Sequence, residues 1–173
     1  MALNPETGAG VYGADSYATR AFILAYWTAR PHDALAATVA AADVDDLDGA
    51  AREASAYLDA EFGAHYRGDR KGYVQGLLWP RSGAKDDAGY DLPAIPEELK
   101  RAVAELAARA LSARLAPDLE RGGMIKREKI GPIEQEFAEG ASADTRYGFV
   151  AKMLAPVLDG TQTGAPRAQW NWG

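Results

Sequence analysis

Cysteine is absent from the chain, which removes disulfide frameworks, zinc ribbons, thiol nucleophiles and iron–sulfur ligation together. Histidine is nearly absent, and His32 and His65 are too few to build a histidine-rich metal site within one chain. Positive charge is in deficit: 19 Lys and Arg stand against 25 Asp and Glu, for a formal charge of −6 and a pI near 5.0. A protein whose main work is gripping a phosphate backbone carries the opposite balance. No uninterrupted apolar stretch is long enough to cross a bilayer, so no membrane partner is expected. The opening Met1-Ala-Leu-Asn-Pro-Glu-Thr-Gly8 has neither a basic nor an apolar leader region, and folding in a reducing cytoplasm is expected. What the chain does have is 47% apolar residues over 173 positions, enough for one packed domain.

The pattern along the chain is mainly helical. Residues 1–14, rich in Gly and Ala, read as an extended N-terminal arm. A first helix is expected from about Ser16 to Arg30, capped by Asp15 or Ser16 and stopped by Pro31. Its apolar residues surround the axis, which predicts burial on several sides. A short helix fits 33–41. Leu47, Ala51, Ala54, Leu58 and Phe62 then fall on one helical face that ends at Gly63, a natural left-handed stop. Residues 63–95 form a long Gly/Pro/Asp-rich loop around the apolar knot Leu77-Leu78-Trp79-Pro80. The clearest helix follows, with Pro96 at its first position, Glu97 and Glu98 in its first turn and Pro117 at its far end. That span predicts a length of roughly 30 Å.

Strand-like periodicity then appears at 124–130 and 133–138 around Gly131-Pro132, a hairpin within 124–138. Lys126, Arg127 and Lys129 lie on its first strand, and Glu134 and Glu136 on its second. Opposite charges across such a hairpin stabilise it by roughly 0.2–1 kcal/mol per pair. A last helix is expected at about 147–158, closing a connected body of 15–159 and leaving a C-terminal tail at 160–173. The fold class is therefore a small helical bundle with one β-hairpin, an extended arm and a tail.

Motifs for chemistry are weak. Gly8-Ala-Gly10-Val-Tyr-Gly13 spells G-x-G-x-x-G, yet Ala2-Leu-Asn-Pro-Glu-Thr7 cannot be the central strand that a dinucleotide site needs before it. Asp43, Asp45, Asp46 and Asp48 with Gly49 fail the calcium-loop register, because Val44 and Ser55 fall where carboxylates are required. They read better as an acidic approach to a helix N-terminus. No nucleophile elbow, P-loop or H-E-x-x-H is present. No catalytic residues, cofactor or metal are expected, and the chain is read as a non-enzyme.

Two features suggest partners. Tyr66, Arg67, Arg70, Lys71, Tyr73, Trp79, Arg81 and Lys85 mix cations with aromatics, as single-strand-binding grooves do. The plainer account has Trp79 anchoring the loop to the helices and the cations forming a solvated or subunit-facing edge. At the other end, Trp170 and Trp172 lie two apart beyond the last helix, with Arg167 just before them. An extended chain points both rings to one side, as a docking peptide would, or both fold back onto their own domain.

The order of the pieces resembles the head–tail connector (adaptor) proteins of tailed bacteriophages, in the group often labelled DnaT-like single-stranded-DNA-binding. The carrying residues begin with Gly10-Val-Tyr-Gly-Ala-Asp-Ser-Tyr17, Ala56-Tyr-Leu-Asp59 and Leu78-Trp-Pro-Arg-Ser-Gly83. They continue through Ile95-Pro96, Lys100-Arg-Ala-Val-Ala-Glu-Leu-Ala107 and Leu115-Ala-Pro-Asp-Leu119. Last come Lys126-Arg-Glu-Lys-Ile-Gly-Pro-Ile133, Gly140 and Leu154-Ala-Pro-Val-Leu158. The resemblance spans about 10–159; the acidic 43–48 segment and the Trp-rich tail depart from it.

This resemblance implies a subunit of a homo-oligomeric ring, typically of twelve copies, located in the virion at the head–tail junction. Its implied partners are the portal protein, a tail or stopper protein, and duplex DNA passing through the lumen without specific binding. The tail residues Trp170, Trp172 and Arg167 would then meet the portal or a neighbouring subunit. Trp79, Arg81, Lys126, Lys129, Glu134 and Glu136 would contribute subunit contacts. The alternative is a single-stranded-DNA-binding replication accessory that uses Tyr66, Arg67, Arg70, Lys71, Trp79 and Arg81.

Overall fold

The computed structural model describes residues 1–116, 127–130, 133–136 and 147–160. Helices α1 (Arg20–Thr28), α2 (Ala34–Ala41), α3 (Val44–Phe62), α4 (Glu97–Ala110) and α5 (Gly148–Met153) form a body into which the N-terminal segment and the 63–95 loop are tied. α4 is its centre, in contact with α1, α2, α3 and α5. Every residue from Ala102 to Ala108 is buried, because four alanines at 102, 104, 107 and 108 let neighbouring helices approach closely. Ile23 and Trp27 from α1, Leu47, Ala51, Ala54 and Leu58 from α3, and Val150 from α5 complete the core with Leu154 just beyond.

A separate unit, 116–146, contains strands β3 (Arg127–Ile130) and β4 (Ile133–Glu136), numbered after two short strands in the 63–95 loop. β3 and β4 pair antiparallel with Arg127 opposite Glu136 and Lys129 opposite Glu134. The mainly helical fold with a two-stranded hairpin is thus the one expected from the sequence. Lys126 and the tail with Arg167, Trp170 and Trp172 lie outside the described residues.

Several element boundaries move for local reasons. α1 starts four residues later than expected, capped by Thr19, whose side chain accepts from Phe22 N. The expected caps are occupied elsewhere: Asp15 pairs with Arg52, and the Ser16 hydroxyl bonds Ala18 and Ser55. α1 is also less enclosed than predicted, since Leu24 is exposed. α3 begins earlier, at Val44, because Asp43 caps it through Asp46 N at 2.8 Å. The acidic cluster therefore forms the helix's first turn.

Gly63 is not the left-handed stop that was expected. Its φ is −59° and it continues into a short 3₁₀ turn, Gly63–His65. A Cβ there would lie 2.2 Å from Leu78 Cδ1, so a larger residue would make the Leu78 side chain move aside. α4 ends at Ala110, well short of Pro117, and spans about 21 Å. The chain bends so that Leu115 is buried and its N–H donates to Glu53 at 2.7 Å. The last helix likewise shortens to α5 and passes into a 3₁₀ turn, Ala155–Val157, that contains Pro156.

The largest correction concerns the N-terminal arm. Residues 1–14 pack onto the body: Glu6 N donates to Ser16 O at 2.8 Å and Asp15 N to Asn4 O at 2.9 Å. Leu3 N reaches the buried carboxylate of Asp48. Arg20 clasps that carboxylate with two bonds of 2.8 and 2.7 Å and holds Asp48 below the usual carboxylate range.

Candidate interaction surface

The basic and aromatic residues of 66–85 are placed by β1 (Asp69–Arg70) and β2 (Arg81–Ser82), which pair antiparallel and pinch the loop at its base. Four of the eight, Tyr66, Arg67, Trp79 and Arg81, turn inward, while Arg70, Lys71, Tyr73 and Lys85 are exposed. Trp79 has no solvent exposure; its indole N–H donates to Ala94 O at 2.6 Å, and Tyr66 packs edge-on against it. The Tyr66 hydroxyl is buried near Asp59 but outside hydrogen-bond geometry. Arg67 donates to Leu158 O, Lys85 O and Asp87, and Arg81 donates to Arg67 O and Gly68 O.

A guanidinium carries five donors, and a long loop leaves many carbonyls without ladder partners, so these two arginines staple the loop shut. Tyr66 and Trp79 therefore offer no stacking platform. Trp79, expected at a subunit contact, is fully buried, and the half-buried Arg81 spends its guanidinium on the loop's own carbonyls.

Asp59 on α3 organises the inner side of the loop. Its carboxylate accepts from the Tyr17 hydroxyl and from Leu78 N at 2.9 Å, while Trp79 N donates to the Tyr17 oxygen at 3.1 Å. Burial raises the Asp59 pKa above the ordinary value, against the hydrogen bonds and the Arg70 charge, which lower it. A raised folded-state pKa favours the neutral acid in the fold. Its contribution is full below the unfolded value and is lost as pH rises through the folded one. Asp59→Asn keeps a neutral group of the same shape, so its melting temperature relative to the unsubstituted chain should improve as pH rises from about 4 to 7. Thermal melts of both proteins across that range check this; a difference that shrinks with pH would contradict it.

The G-x-G-x-x-G segment has a use that sequence reasoning missed. The loop does cradle an anion, and the anion is the chain's own Glu6. Glu6 Oε1 accepts from the backbone N–H of Thr7, Gly8 and Gly10 at 2.9–3.0 Å, and Oε2 from Val11 at 2.8 Å. Gly8 at φ +93° and Gly10 at φ +81° adopt the left-handed conformations that turn successive N–H groups to one side. The only signal in the sequence was a carboxylate two residues before the first glycine.

Among the described residues, two outward surfaces stand out as candidates for contacts. The first is a tip where Tyr12, beside Gln75 in a short antiparallel bridge, joins Tyr73 and Val74; the three are 84%, 94% and 66% exposed. Arg70 and Lys71 lie at its base, exposed, each donating to a backbone carbonyl, Gln75 O and Gly8 O. The second is an apolar groove between α1 and α2. Leu24, Trp27, Pro31, Ala37, Val39 and Ala40 line about 330 Å³ of it.

The chain thus has a helical unit whose long loop is closed by arginine staples, and a second unit that contains the hairpin. It belongs to the family described as "Putative DnaT-like ssDNA binding protein", whose sequence model matches residues 1–169. No curated protein and no solved structure matches it.

Proposed function

We propose that the chain is a structural subunit of a phage head–tail connector ring, made in the host cytoplasm, that joins the portal to the tail and prolongs the DNA channel. The observation that carries this reading is the inward use of Tyr66, Arg67, Trp79 and Arg81. Tyr66 and Trp79 are buried and Arg67 and Arg81 bond to carbonyls, so these four side chains do not line a groove that would hold a strand. A conduit lets duplex DNA slide, and a chain of charge −6 does not retain it. The order of sequence motifs over 10–159 supports the same role, as do an alanine-rich α2 with only Val39 buried and the exposed tip, surfaces suited to protein contacts.

Imaging of purified particles with the chain labelled is the direct test. Density at the head–tail junction, lost when the gene is deleted, is the expected result, and absence from that junction overturns the reading.

One observation favours a second reading, a single-stranded-DNA-binding accessory. The family description names that activity, and Tyr12 and Tyr73 stand exposed beside Arg70 and Lys71. Mobility shifts with oligonucleotides at low and moderate salt separate the two. The connector reading expects no retained complex at moderate salt, whereas tight binding with a steep salt dependence selects the accessory.

A further inference from the structure

We propose that the Tyr12/Tyr73 tip of one copy seats in the α1–α2 groove of the next, so that a single heterologous contact propagates the ring. This contact rests on the ring reading above and names its two faces.

The tip is built to be displayed. Gln75 is buried beneath it, accepting from Gly72 N at 2.8 Å and donating to Leu77 O and Pro80 O at 2.8 and 3.1 Å. Gly76 N donates to Val11 O at 3.1 Å, which locks the tip to the N-terminal segment. Aromatic side chains on so braced a backbone lose little further backbone entropy on docking, while their exposed faces gain from being covered. Among the described residues, none covers Tyr73, which is 94% exposed.

The groove matches in shape and chemistry. Its volume lies in the range of clefts that hold side chains and ligands, and none of the residues that line it is charged. α2 carries no charged residue from Ala34 to Ala41. Acids flank it instead: Asp33 caps its N-terminus, and Asp43, Asp45 and Asp46 follow its C-terminal end, all of them exposed. An aromatic knob with Arg70 and Lys71 at its base thus faces an apolar slot bracketed by carboxylates. This charge complementarity argues for a second copy of the chain as occupant. Because knob and slot are different surfaces, each copy keeps one of each free, the condition for a head-to-tail ring.

The cysteine-free chain allows a clean test. Tyr73→Cys and Ala37→Cys, both at exposed positions, are combined in one chain and oxidised mildly, in purified protein and in particles. The double variant should give a ladder of disulfide-linked multimers. A mixture of the two single variants should stop at disulfide-linked dimers, and each single variant should remain unlinked. Reversing Arg70 and Lys71 to Glu should cut the linked fraction at least several-fold, and adding Asp45→Lys with Asp46→Lys should restore it.

Four results overturn the contact. They are no ladder in either setting, Tyr73→Cys linking to itself, Ala37→Cys linking instead to a cysteine at Trp172, and an oligo-dT strand shielding Tyr73→Cys from alkylation. Particle imaging separates this from the parent reading. A chain found at the junction without a ladder refutes the contact alone, and a ladder from a chain absent from the junction refutes the particle role alone.

Discussion

Trp79→Ala is expected to lower the unfolding free energy by about 3–5 kcal/mol, the range for emptying a fully buried aromatic site. Trp79 ties the long loop to the helices in two ways. Its ring fills the space beside Tyr66, and its indole N–H satisfies Ala94 O at the start of the approach to α4. Truncation opens a cavity and orphans that carbonyl together. The neighbouring Arg67 and Arg81 staples then lose the packed surface that orients them, so the loop should loosen before the helices melt. Chemical denaturation gives the total loss, and hydrogen exchange over 63–95 locates it. Tyr73→Ala, a larger-to-smaller change at a 94% exposed site in the same loop, should stay within about 0.5 kcal/mol. A loss below about 1 kcal/mol for Trp79→Ala would mean that this side chain is not in the core.

Glu6→Ala is the second large effect. Four backbone N–H groups lose one carboxylate acceptor, and each bond to a charged group is worth about 1.5–3 kcal/mol. The sum is not realised, because the N-terminal segment can peel away and hydrate its own N–H groups. The expected outcome is about 2–4 kcal/mol lost, with exchange protection vanishing over 1–14 while the α3 and α4 amides keep theirs. Glu6→Gln discriminates further. Its amide oxygen can serve Thr7, Gly8 and Gly10, but its NH₂ then faces the Val11 N–H, donor against donor. An intermediate loss is expected, and a Gln variant as stable as the original chain would show that the second oxygen contributes nothing.

Periodicity reached α3, where Leu47, Ala51, Ala54, Leu58 and Phe62 lay a regular stripe against the core. In α4 it marked Leu99, Val103 and Leu106 but not the burial on every side over 102–108, which the alanines allow. The hairpin expected from strand-like periodicity around Gly131-Pro132 is present as β3 and β4. Helix ends were less legible. Asp15 and Ser16 have ideal cap chemistry, yet both serve residues far along the chain, Arg52 and Ser55, and Thr19 takes the cap. Pro117 marks where α4 must have stopped, whereas the burial of Leu115 decides that it stops earlier.

Composition carries no information on which way a side chain points, so it left the groove and the plainer account, with Trp79 anchoring the loop, side by side. Tyr66, Arg67, Trp79 and Arg81 have the residue types of a nucleic-acid groove. The same types suit an inward-folded loop, where aromatics fill the core and guanidinium groups satisfy carbonyls. The Gly-rich N-terminal segment looked unable to bury anything, since the partner that orders it is a single carboxylate inside the segment.

By itself, then, the sequence determined a cysteine-free, acidic, mainly helical domain with a hairpin, because those properties depend on residue counts and on local periodicity. Only the tertiary structure decided that Tyr66, Arg67, Trp79 and Arg81 turn inward, that Glu6 fills the glycine nest, and that Tyr12 is bridged to Gln75 beside the exposed Tyr73. Each of these depends on residues distant in sequence, or on backbone angles open only to glycine, competing for the same donors, acceptors and space. That competition is resolved when the chain closes on itself.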